Sequence, residues 1–589
     1  RAENASKRTR TEGSASFTSA QRCKRLFLGP ARQTHIGRLI RIYFTEHTFI
    51  MTADSTQRQI SYFYDWRFWA VTVTAMLVVS FSLAWISTGF LSIIVWISFT
   101  AALLLCTGLF LFCCWLLRKE NLPGWLGYIL MGAVAIRLLA GVFWYVALPV
   151  FGHGSPEETA GYVMADAGKR DQGAFELAQS DKPLWNSFSN NRKIDQYGGM
   201  LFTSALVYRY LGSSVHTPLL VVVFTACGSA LSVLFLWVFA RRAWGEREAK
   251  VGALILACYP EAILLGSTQM REAFTMTLTM MGFYGLIFFF QERKWAGLAW
   301  LLLALVLAVV LSPPYAALLF GMLLIAAIPL RKLIPEDQQI WGEFIALITG
   351  IAAVGILAGL WWGLGQFAPE GMTNPFAVLG WWIRKSTGLQ AHITRLDSGW
   401  TQQVFRLTPV WAHTPLLLVY GTLQPFLPAA LAAGSHASIW RVIAIWRAAG
   451  WILLLPLLVY APFRALRNRD NETFTLVLCL LVWAGILAAS LRGGGDLWDN
   501  PRYRSAFIGL QAGVAAWALV ANRRAFDPWL RRIYISILII LAWFLPWYLY
   551  RYYSFPWLIE DFFSTAALGI LTSLWYLIWD WKRVDRGKT

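Results

Sequence analysis

The sequence contains little charge and little cysteine for its length. Of 589 residues, 14% are Asp, Glu, Lys or Arg, and seven are Cys. Six cysteines lie within or at the edge of apolar runs, with no CxxC or Cys/His spacing that suits a metal: Cys106, Cys113, Cys114, Cys227, Cys258 and Cys479. We therefore expect neither structural disulfides nor zinc fingers. A P-loop and a GxGxxG pattern are also lacking, so no nucleotide-phosphate loop is indicated.

Long apolar runs dominate instead. Hydrophobic residues make up 57% of the chain, with 32 Trp and 38 Phe. A helix needs about 20 apolar residues to cross a bilayer core of about 30 Å. The sequence therefore predicts an all-α polytopic membrane protein of about 14 transmembrane helices. The candidate spans are 68–86, 90–117, 125–149, 217–240, 251–268, 270–290, 295–312, 314–330, 340–361, 439–463, 473–491, 505–521, 532–550 and 560–580.

The net charge of +19 comes largely from short basic turns between these runs, which indicates membrane topology rather than nucleic-acid binding. With the N-terminus placed inside, each turn that falls in the cytoplasm is rich in Lys and Arg, as in "ARRAWGEREAK" and "NRRAFDPWLRR". We therefore expect a bacterial-type plasma membrane protein with both termini in the cytoplasm. The regions expected on the extracytoplasmic face are 150–216, 267–272, 362–438 and 492–504.

Composition divides the chain further. The first 50 residues hold ten Lys or Arg against three Glu and lack apolar periodicity, so we expect a disordered extension there and Met51 as the natural start. The remaining divisions are a membrane hairpin at 51–124, a membrane core with the outer loop 150–216 at 125–361, a long extracytoplasmic loop at 362–438, and C-terminal membrane helices at 439–589.

The two long outer loops contain apolar segments of their own. In the first, "GGMLFTSALVYRYLG" has apolar residues at helical spacing, which predicts a short helix lying in the interface. In the second, "TPLLLVYGTLQPFLPAAL" is apolar but interrupted by Pro and Gly. We interpret it as re-entrant or lying on the surface, because a full span would reverse the side of every later basic turn.

Acidic residues cluster in the first outer loop. Asp166, Asp171, Glu176 and Asp181 follow an apolar helix that ends near Pro149. A helix over 171–178 would place Asp171, Ala174, Phe175 and Ala178 along one face. A carboxylate at the membrane surface could accept a proton from an incoming hydroxyl. The alternative is that these acids are ordinary solvated loop charges.

The stretch "DQGAFELA", preceded by "AIRLLAGVFWYV", resembles the first extracytoplasmic loop of the GT-C class of membrane glycosyltransferases. The branch it resembles is glycosyltransferase family 39, which includes protein O-mannosyltransferases and aminoarabinose transferases. The resemblance implies a GT-C-like helical bundle over 125–361, in which Asp171 is catalytic. Gln172 and Phe175 stand where the family has an acid and a Tyr, so Asp166 stays an alternative for this role.

The resemblance continues to the outer turn near 267–272. Glu272 stands where an acid often serves the active site of this family, and Arg271 beside it could bind a phosphate. The alternative is that both residues mark a helix end at the interface. Arg137, inside an earlier apolar run, is costly in lipid unless it faces protein. We expect it to steady the loop acids.

A third part of the resemblance is "GGGDLWDNPRYRSAFIGLQAGVAAW". Arg502 and Arg504 flank Tyr503 at the outer boundary, where a lipid-linked phosphate would meet fixed cations. The glycines at 493–495 would let the backbone approach a ligand closely. The alternative is that these arginines anchor the helix at the membrane interface.

Together these features predict inverting transfer of a sugar from a polyprenyl-phosphate donor to an acceptor hydroxyl on a protein, lipid or glycan. Asp171, Asp166 and Glu272 are the expected catalytic acids, and Arg271, Arg502, Arg504 and Tyr503 the expected phosphate-binding residues. No cofactor and no nucleic acid are expected, and a divalent cation stays an open alternative. The alternative functions are a lipid-linked polysaccharide polymerase and a multi-helix transporter or flippase.

Overall fold

The structure, a computed structural model, describes residues 66–90, 92–189, 194–292, 294–331, 404–432, 437–493 and 500–586, with isolated positions between 374 and 388. The predicted extension at 1–50, the predicted span 340–361 and most of the loop 362–438 lie outside these residues. Contacts divide the chain into Arg1–Thr74 and Ala75–Thr589. The described part of the first unit is the beginning of one helix, and the other described residues belong to the second unit.

The helices of the described residues are named here in chain order. They are α1 (Trp66–Thr88), α2 (Ile93–Leu116), α3 (Gly124–Phe151), α4 (Pro156–Thr159), α5 (Ala165–Gln179), α6 (Gly199–Leu211), α7 (Pro218–Ala243), α8 (Glu246–Cys258), α9 (Pro260–Gly266), α10 (Glu272–Glu292), α11 (Trp295–Leu311), α12 (Pro313–Leu330), α13 (Val410–Leu423), α14 (Leu427–Ala432), α15 (Ser438–Arg467), α16 (Arg469–Gly493), α17 (Ile508–Ala525), α18 (Trp529–Tyr553) and α19 (Phe562–Arg586). Short 3-10 segments cover Arg118–Glu120, Leu184–Phe188 and Asn500–Phe507.

The predicted all-α polytopic class is confirmed, since the described residues are helical and contain no strand. In the part of the chain that the structure describes, ten helices are long and apolar enough to cross a membrane, and the bent pair α8–α9 would make an eleventh. The predicted spans 68–86 and 295–312 correspond to α1 and α11, whose apolar helical stretches are shorter than the other spans. The described helices thus account for each predicted span outside 340–361.

The core of the bundle is built around α7 and α10. Nearly every residue of both helices is buried, because α3, α8, α11 and α17 pack around them. The approach of α10 to α11 depends on two glycines. A Cβ atom at Gly285 would lie 2.6 Å from the backbone nitrogen of Leu301, and one at Gly297 would lie 2.5 Å from that of Phe289. Only glycine permits this contact distance.

Two contacts establish which helix ends lie together. The Gln269 side chain donates to the Pro218 carbonyl at 3.0 Å, which joins the turn before α10 to the start of α7. At the other end of the same helices, Arg242 and Glu292 form an ion pair of 2.6 Å. The beginnings of α7 and α10 therefore lie at one end of the bundle, together with α5 and α6.

The helix pair α8–α9 bends by 57° at Tyr259. Pro260 starts α9 and has no N–H to continue the hydrogen bonds of α8, so carbonyl groups at the end of α8 need other donors. Arg137 of α3 supplies them, donating to the carbonyls of 256 and 257 at 3.2 and 3.3 Å and to Ser229 at 3.0 Å. The expectation that Arg137 steadies the loop acids is wrong, because its donors are used at this helix end.

The apolar segments of the outer loops form short helices. The predicted interfacial helix is α6, and the interrupted segment of the second loop becomes α13 and α14, separated at Gln424–Phe426. At 14 and six residues, neither α13 nor α14 is long enough to span a bilayer. The predicted helix over 171–178 lies within the longer α5, and its apolar face packs on α6.

Candidate functional site

Helix α5 brings a carboxylate and a guanidinium group to one face. Asp166 and Arg170 are one turn apart, with Arg170 Nη2 3.7 Å from Asp166 Oδ2. The same oxygen accepts a hydrogen bond of 3.1 Å from Arg502 Nη1, in the 3-10 segment before α17. The Asp166 side chain is 45% exposed, while those of Arg170 and Arg502 are 8% and 15% exposed. A carboxylate that solvent can reach is therefore held between two largely buried guanidinium groups.

Arg170 also faces the starts of α6 and α10. Its Nε lies 3.5 Å from Asp195 Oδ1, and its Nη1 lies 3.3 Å from the sulfur of Met270. Asp195 is buried, and its other oxygen accepts the backbone N–H of Leu201 at 3.1 Å, which fixes the beginning of α6. Arg170 thus links two separate parts of the chain, at Asp195 and at Met270, to Asp166.

The turn before α10 adds a second pair of charges. Arg271 Nε lies 3.9 Å from Glu272 Oε1, and the Arg271 guanidinium lies over the ring of Tyr197, 4.9 Å from its centre. A contact of 3.5 Å between the hydroxyl groups of Thr275 and Ser505 joins α10 to the 3-10 segment that carries Arg502. The predicted residues of the two outer turns therefore belong to one end of the bundle.

Several polar atoms of this region are buried without a hydrogen-bond partner among the described residues. They are Arg170 Nε, Asp195 Oδ1, Arg271 Nη1 and Glu272 Oε2. Most buried polar groups in folded proteins are hydrogen-bonded, because an unsatisfied one costs about 1–3 kcal/mol. Arg170 Nε and Asp195 Oδ1 face each other as an ion pair at 3.5 Å, so Arg271 Nη1 and Glu272 Oε2 are the two atoms whose hydrogen bonds water or a ligand would complete. We call Asp166, Arg170, Asp195, Arg271, Glu272 and Arg502 the charged cluster.

Asp171 is not part of the charged cluster. Its side chain is fully buried and accepts hydrogen bonds from the hydroxyls of Tyr162 at 2.7 Å and Tyr208 at 2.8 Å, and its Oδ2 lies 2.9 Å from His216 Nε2. Burial and the neighbouring carboxylate raise the pKa values of Tyr162 and Tyr208 well above their usual value, so both remain donors at neutral pH. Asp171 therefore joins α5 to α6 and to the start of α7.

Arg504 and Tyr503 also differ from each other in their setting. Arg504 is buried, stacks on Trp451 at 4.2 Å and donates to the carbonyls of Gly421 and Gln424, so it holds the end of α13. Tyr503 is partly exposed, with the Arg502 guanidinium 5.3 Å from its ring centre. Of the predicted phosphate-binding residues, Arg271, Arg502 and Tyr503 are at the charged cluster and Arg504 points into the protein.

Sequence reasoning missed Arg170, Asp195 and Tyr197. Arg170 had a signal, because it is four residues after Asp166 in a predicted loop rich in helix formers. Asp195 and Tyr197 had none, since their partners are remote in sequence. Among the described residues, no three His, Cys, Asp or Glu side chains are grouped so that they could hold a metal ion. The glycines at 494 and 495 lie outside the described residues.

No family model matches the sequence, and no curated protein sequence matches it. Two solved structures are similar to this chain at a TM-score of 0.33. One is the archaeal oligosaccharyltransferase AglB from Archaeoglobus fulgidus in complex with an inhibitory peptide and a dolichol-phosphate, and the other is an Archaeoglobus fulgidus oligosaccharyltransferase in the apo form. The sequence identities are 14% and 13%, over 78% and 75% of this chain. The chain spans 56% of the length of either protein. Membership of glycosyltransferase family 39 stays a prediction.

Proposed function

We propose that the protein is a membrane glycosyltransferase that transfers a sugar from a polyprenyl-phosphate donor to an acceptor hydroxyl on the extracytoplasmic face. The observation that carries this proposal is the contact between Asp166 and Arg502 at the end of an apolar helical bundle. It joins a solvent-accessible carboxylate, suited to take a proton, to a guanidinium group, suited to bind a phosphate.

The position of the charged cluster fits an amphipathic substrate. A lipid-linked sugar has a tail that belongs in the bilayer and a head that belongs in water, so an enzyme acting on it works at the boundary. Arg271 directly precedes the 21-residue span α10, and Asp166 lies in the first turn of α5, the second helix after the 28-residue span α3. The basic turns between the other helix ends favour the cytoplasm for the opposite side.

The reaction would be a single displacement at the anomeric carbon. Asp166 accepts the proton of the acceptor hydroxyl as the new carbon–oxygen bond forms. The bond from the same carbon to the phosphate oxygen breaks, and the lipid phosphate leaves with the electron pair. Arg502 and Arg271 stabilise the negative charge on that phosphate. One displacement of this kind inverts the configuration of the anomeric carbon.

Donor binding would also prepare the base. In the structure, the Asp166 carboxylate is paired with Arg502 at 3.1 Å. A phosphate that engages Arg502 would take over part of this charge. The Asp166 carboxylate would then be free to contact the acceptor hydroxyl. Arg170 would keep the Asp166 side chain in place during the exchange.

Asp171 is the competing candidate for the base. Its complete burial and its contacts with Tyr162, Tyr208 and His216 favour a positioning role, in which it holds α5 so that Asp166 faces Arg502. The two assignments make different demands. A base must exchange its proton with substrate, whereas a buried anchor must remain hydrogen-bonded.

The test is sugar transfer by the purified protein in nanodiscs, supplied with a panel of polyprenyl-phosphate sugars and hydroxyl acceptors, including a lipid-linked glycan for a polymerase. We expect transfer by the wild type and its loss in Asp166→Asn. Glu176→Gln is the matched control, because Glu176 is an exposed acid on the same helix that accepts a hydrogen bond from Gln172. Transfer that survives both Asp166→Asn and Asp171→Asn would overturn the mechanism.

A further inference from the structure

An apolar groove lies between α3 and the first turns of α15. Its volume is about 300 Å³, and all of its lining side chains are hydrophobic. The walls include Ala140 and Trp144 of α3, Ile263 of α9, and Val442 and Trp446 of α15. The groove is open along one side, where Val442 is 61% exposed. Because α3 and α15 both have the length and composition of spans, this side would face the hydrocarbon of the bilayer.

The size of the groove suits a short stretch of hydrocarbon chain. An apolar cavity of about 150 Å³ in another protein admits benzene. A groove of twice that volume has room for about twice as many carbon atoms, which corresponds to about two isoprene units. Phe143, Trp144 and Trp446 would provide aromatic contacts for an unsaturated chain.

One wall of the groove is directly joined to the turn that carries Arg271. Trp144 turns its ring toward the groove and donates its indole N–H to the Ser267 hydroxyl at 3.0 Å. Ser267 begins the turn that continues through Met270 to Arg271, and Met270 contacts Arg170 of the charged cluster at 3.3 Å. The groove and the charged cluster therefore share the turn between α9 and α10.

The start of α15 is joined to the segment that leads to Asp166. Trp440, one turn before the groove residue Ile443, donates its indole N–H to Glu158 of α4 at 2.7 Å. Glu158 also accepts the backbone N–H of Ser155 at 3.3 Å, so it fixes the corner between α3 and α4. The chain then runs from α4 into α5 within a few residues. Both walls of the groove thus adjoin elements that hold the phosphate-binding and acidic side chains.

We propose that this groove binds the phosphate-proximal isoprene units of the lipid donor. The inference rests on the proposed function, because that function supplies a substrate whose phosphate is attached to such a chain. The groove would guide the chain so that the phosphate reaches Arg271 and Arg502. It would also make transfer depend on the first isoprene units of the donor.

The first test compares two donors that carry the same sugar phosphate, one on a long polyprenyl chain and one on a chain too short to fill the groove. The readout is the ratio of kcat/KM for the long donor to that for the short donor. We expect Ala140→Trp, which fills the groove, to lower this ratio at least tenfold. Met131→Trp is the control, because it adds the same indole to α3 at an exposed position outside the groove. Val442→Trp repeats the test from an exposed position on the opposite wall.

The second test needs no variant. Wild-type protein in phosphatidylcholine nanodiscs is labelled with a polyprenyl phosphate that carries a photoreactive group on its second isoprene unit. Label in peptides of α3 and α15 that polyprenyl phosphate competes away supports the inference. Label that added phospholipid removes equally well, or label elsewhere only, overturns it.

The two proposals fail separately. An unchanged ratio in both groove variants of an active enzyme would overturn the groove and leave the glycosyltransferase intact. Absence of transfer from every lipid-phosphate donor by the wild type would overturn the proposed function, and the photolabel would still decide whether the groove takes an isoprenoid chain.

Discussion

Asp166 Oδ2 and Arg502 Nη1 lie 3.1 Å apart, although 336 residues separate them in sequence. The contact joins the beginning of α5 to the segment before α17. Its carboxylate is about half exposed, so the pair is accessible to solvent while its guanidinium group is mostly enclosed. Surface ion pairs contribute about 0–1 kcal/mol to stability, so the importance of this pair is expected in chemistry rather than in folding.

The first prediction therefore separates activity from stability at Asp166. We expect Asp166→Asn to lower the transfer rate by about 10²–10⁴-fold, the usual contribution of a general base. The unfolding temperature should stay close to that of the wild type, because the side chain is about half exposed. Initial rates and thermal unfolding followed by tryptophan fluorescence would check this. Full activity in Asp166→Asn would contradict the assignment of the base.

The second prediction concerns donor binding. We expect Arg502→Ala to weaken donor phosphate binding by about 10–100-fold, because a hydrogen bond to a charged group contributes about 1.5–3 kcal/mol. Titration of the protein with polyprenyl phosphate would measure this loss. The matched control is Arg523→Ala, which removes an exposed arginine from the other end of α17. Equal weakening in both variants would indicate a general effect of net charge.

The third prediction concerns Asp171. Replacing it with Ala would leave the buried hydroxyls of Tyr162 and Tyr208 without their acceptor. We expect a loss of about 3 kcal/mol or more in the free energy of unfolding, since each unsatisfied buried group costs about 1–3 kcal/mol. Denaturant unfolding in detergent micelles would measure it. An inactive variant of wild-type stability would instead return the catalytic role to Asp171.

The fourth prediction concerns alkaline pH. The folded protein holds the pKa values of Tyr162 and Tyr208 above their usual value of about 10, because burial and the Asp171 carboxylate disfavour the phenolate. The resulting stabilisation is complete below pH 10 and is lost as the pH rises above it, since the unfolded state then releases protons that the folded state retains. Unfolding measured between pH 8 and about 11.5 should show this decline.

The control for the alkaline experiment is chosen by exposure. Tyr208→Phe should reduce the decline in stability above about pH 10, because one of the two raised pKa values is then gone. Tyr210→Phe changes an exposed tyrosine two residues away and should leave the decline unchanged. If both variants behave like the wild type, other groups cause the alkaline unfolding.

Much of the helical architecture was predictable because it depends on local properties. An apolar run of about 20 residues specifies a spanning helix by itself, and the amphipathic pattern of 199–211 specifies a short one. The same reasoning found α5, since its small and apolar residues recur at helical spacing. The pairing of Asp166 with Arg170 could have been predicted for the same reason, because residues four apart lie on one helix face.

The burial of Asp171 was not predictable in this way. Its loop is polar and looks solvated, but Tyr208 and His216 come from segments 37 and 45 residues later. Which of two neighbouring acids is exposed depends on those long-range contacts. The bend at Tyr259 is a similar case. Pro260 indicates a break, but the position of Arg137 against that break follows from the packing of α3 on α8 and α9.

That packing holds the start of α9, the helix that leads to the turn with Arg271. Proline removes a backbone hydrogen bond, so the two segments of an interrupted span are less firmly connected to each other. Here the guanidinium group of Arg137 joins the end of α8 to α3 by hydrogen bonds immediately before the break. The helix that leads to Arg271 therefore starts beside a point that α3 holds. Under the proposed function, the contacts of Arg137 would set the depth at which Arg271 meets the phosphate of the lipid donor.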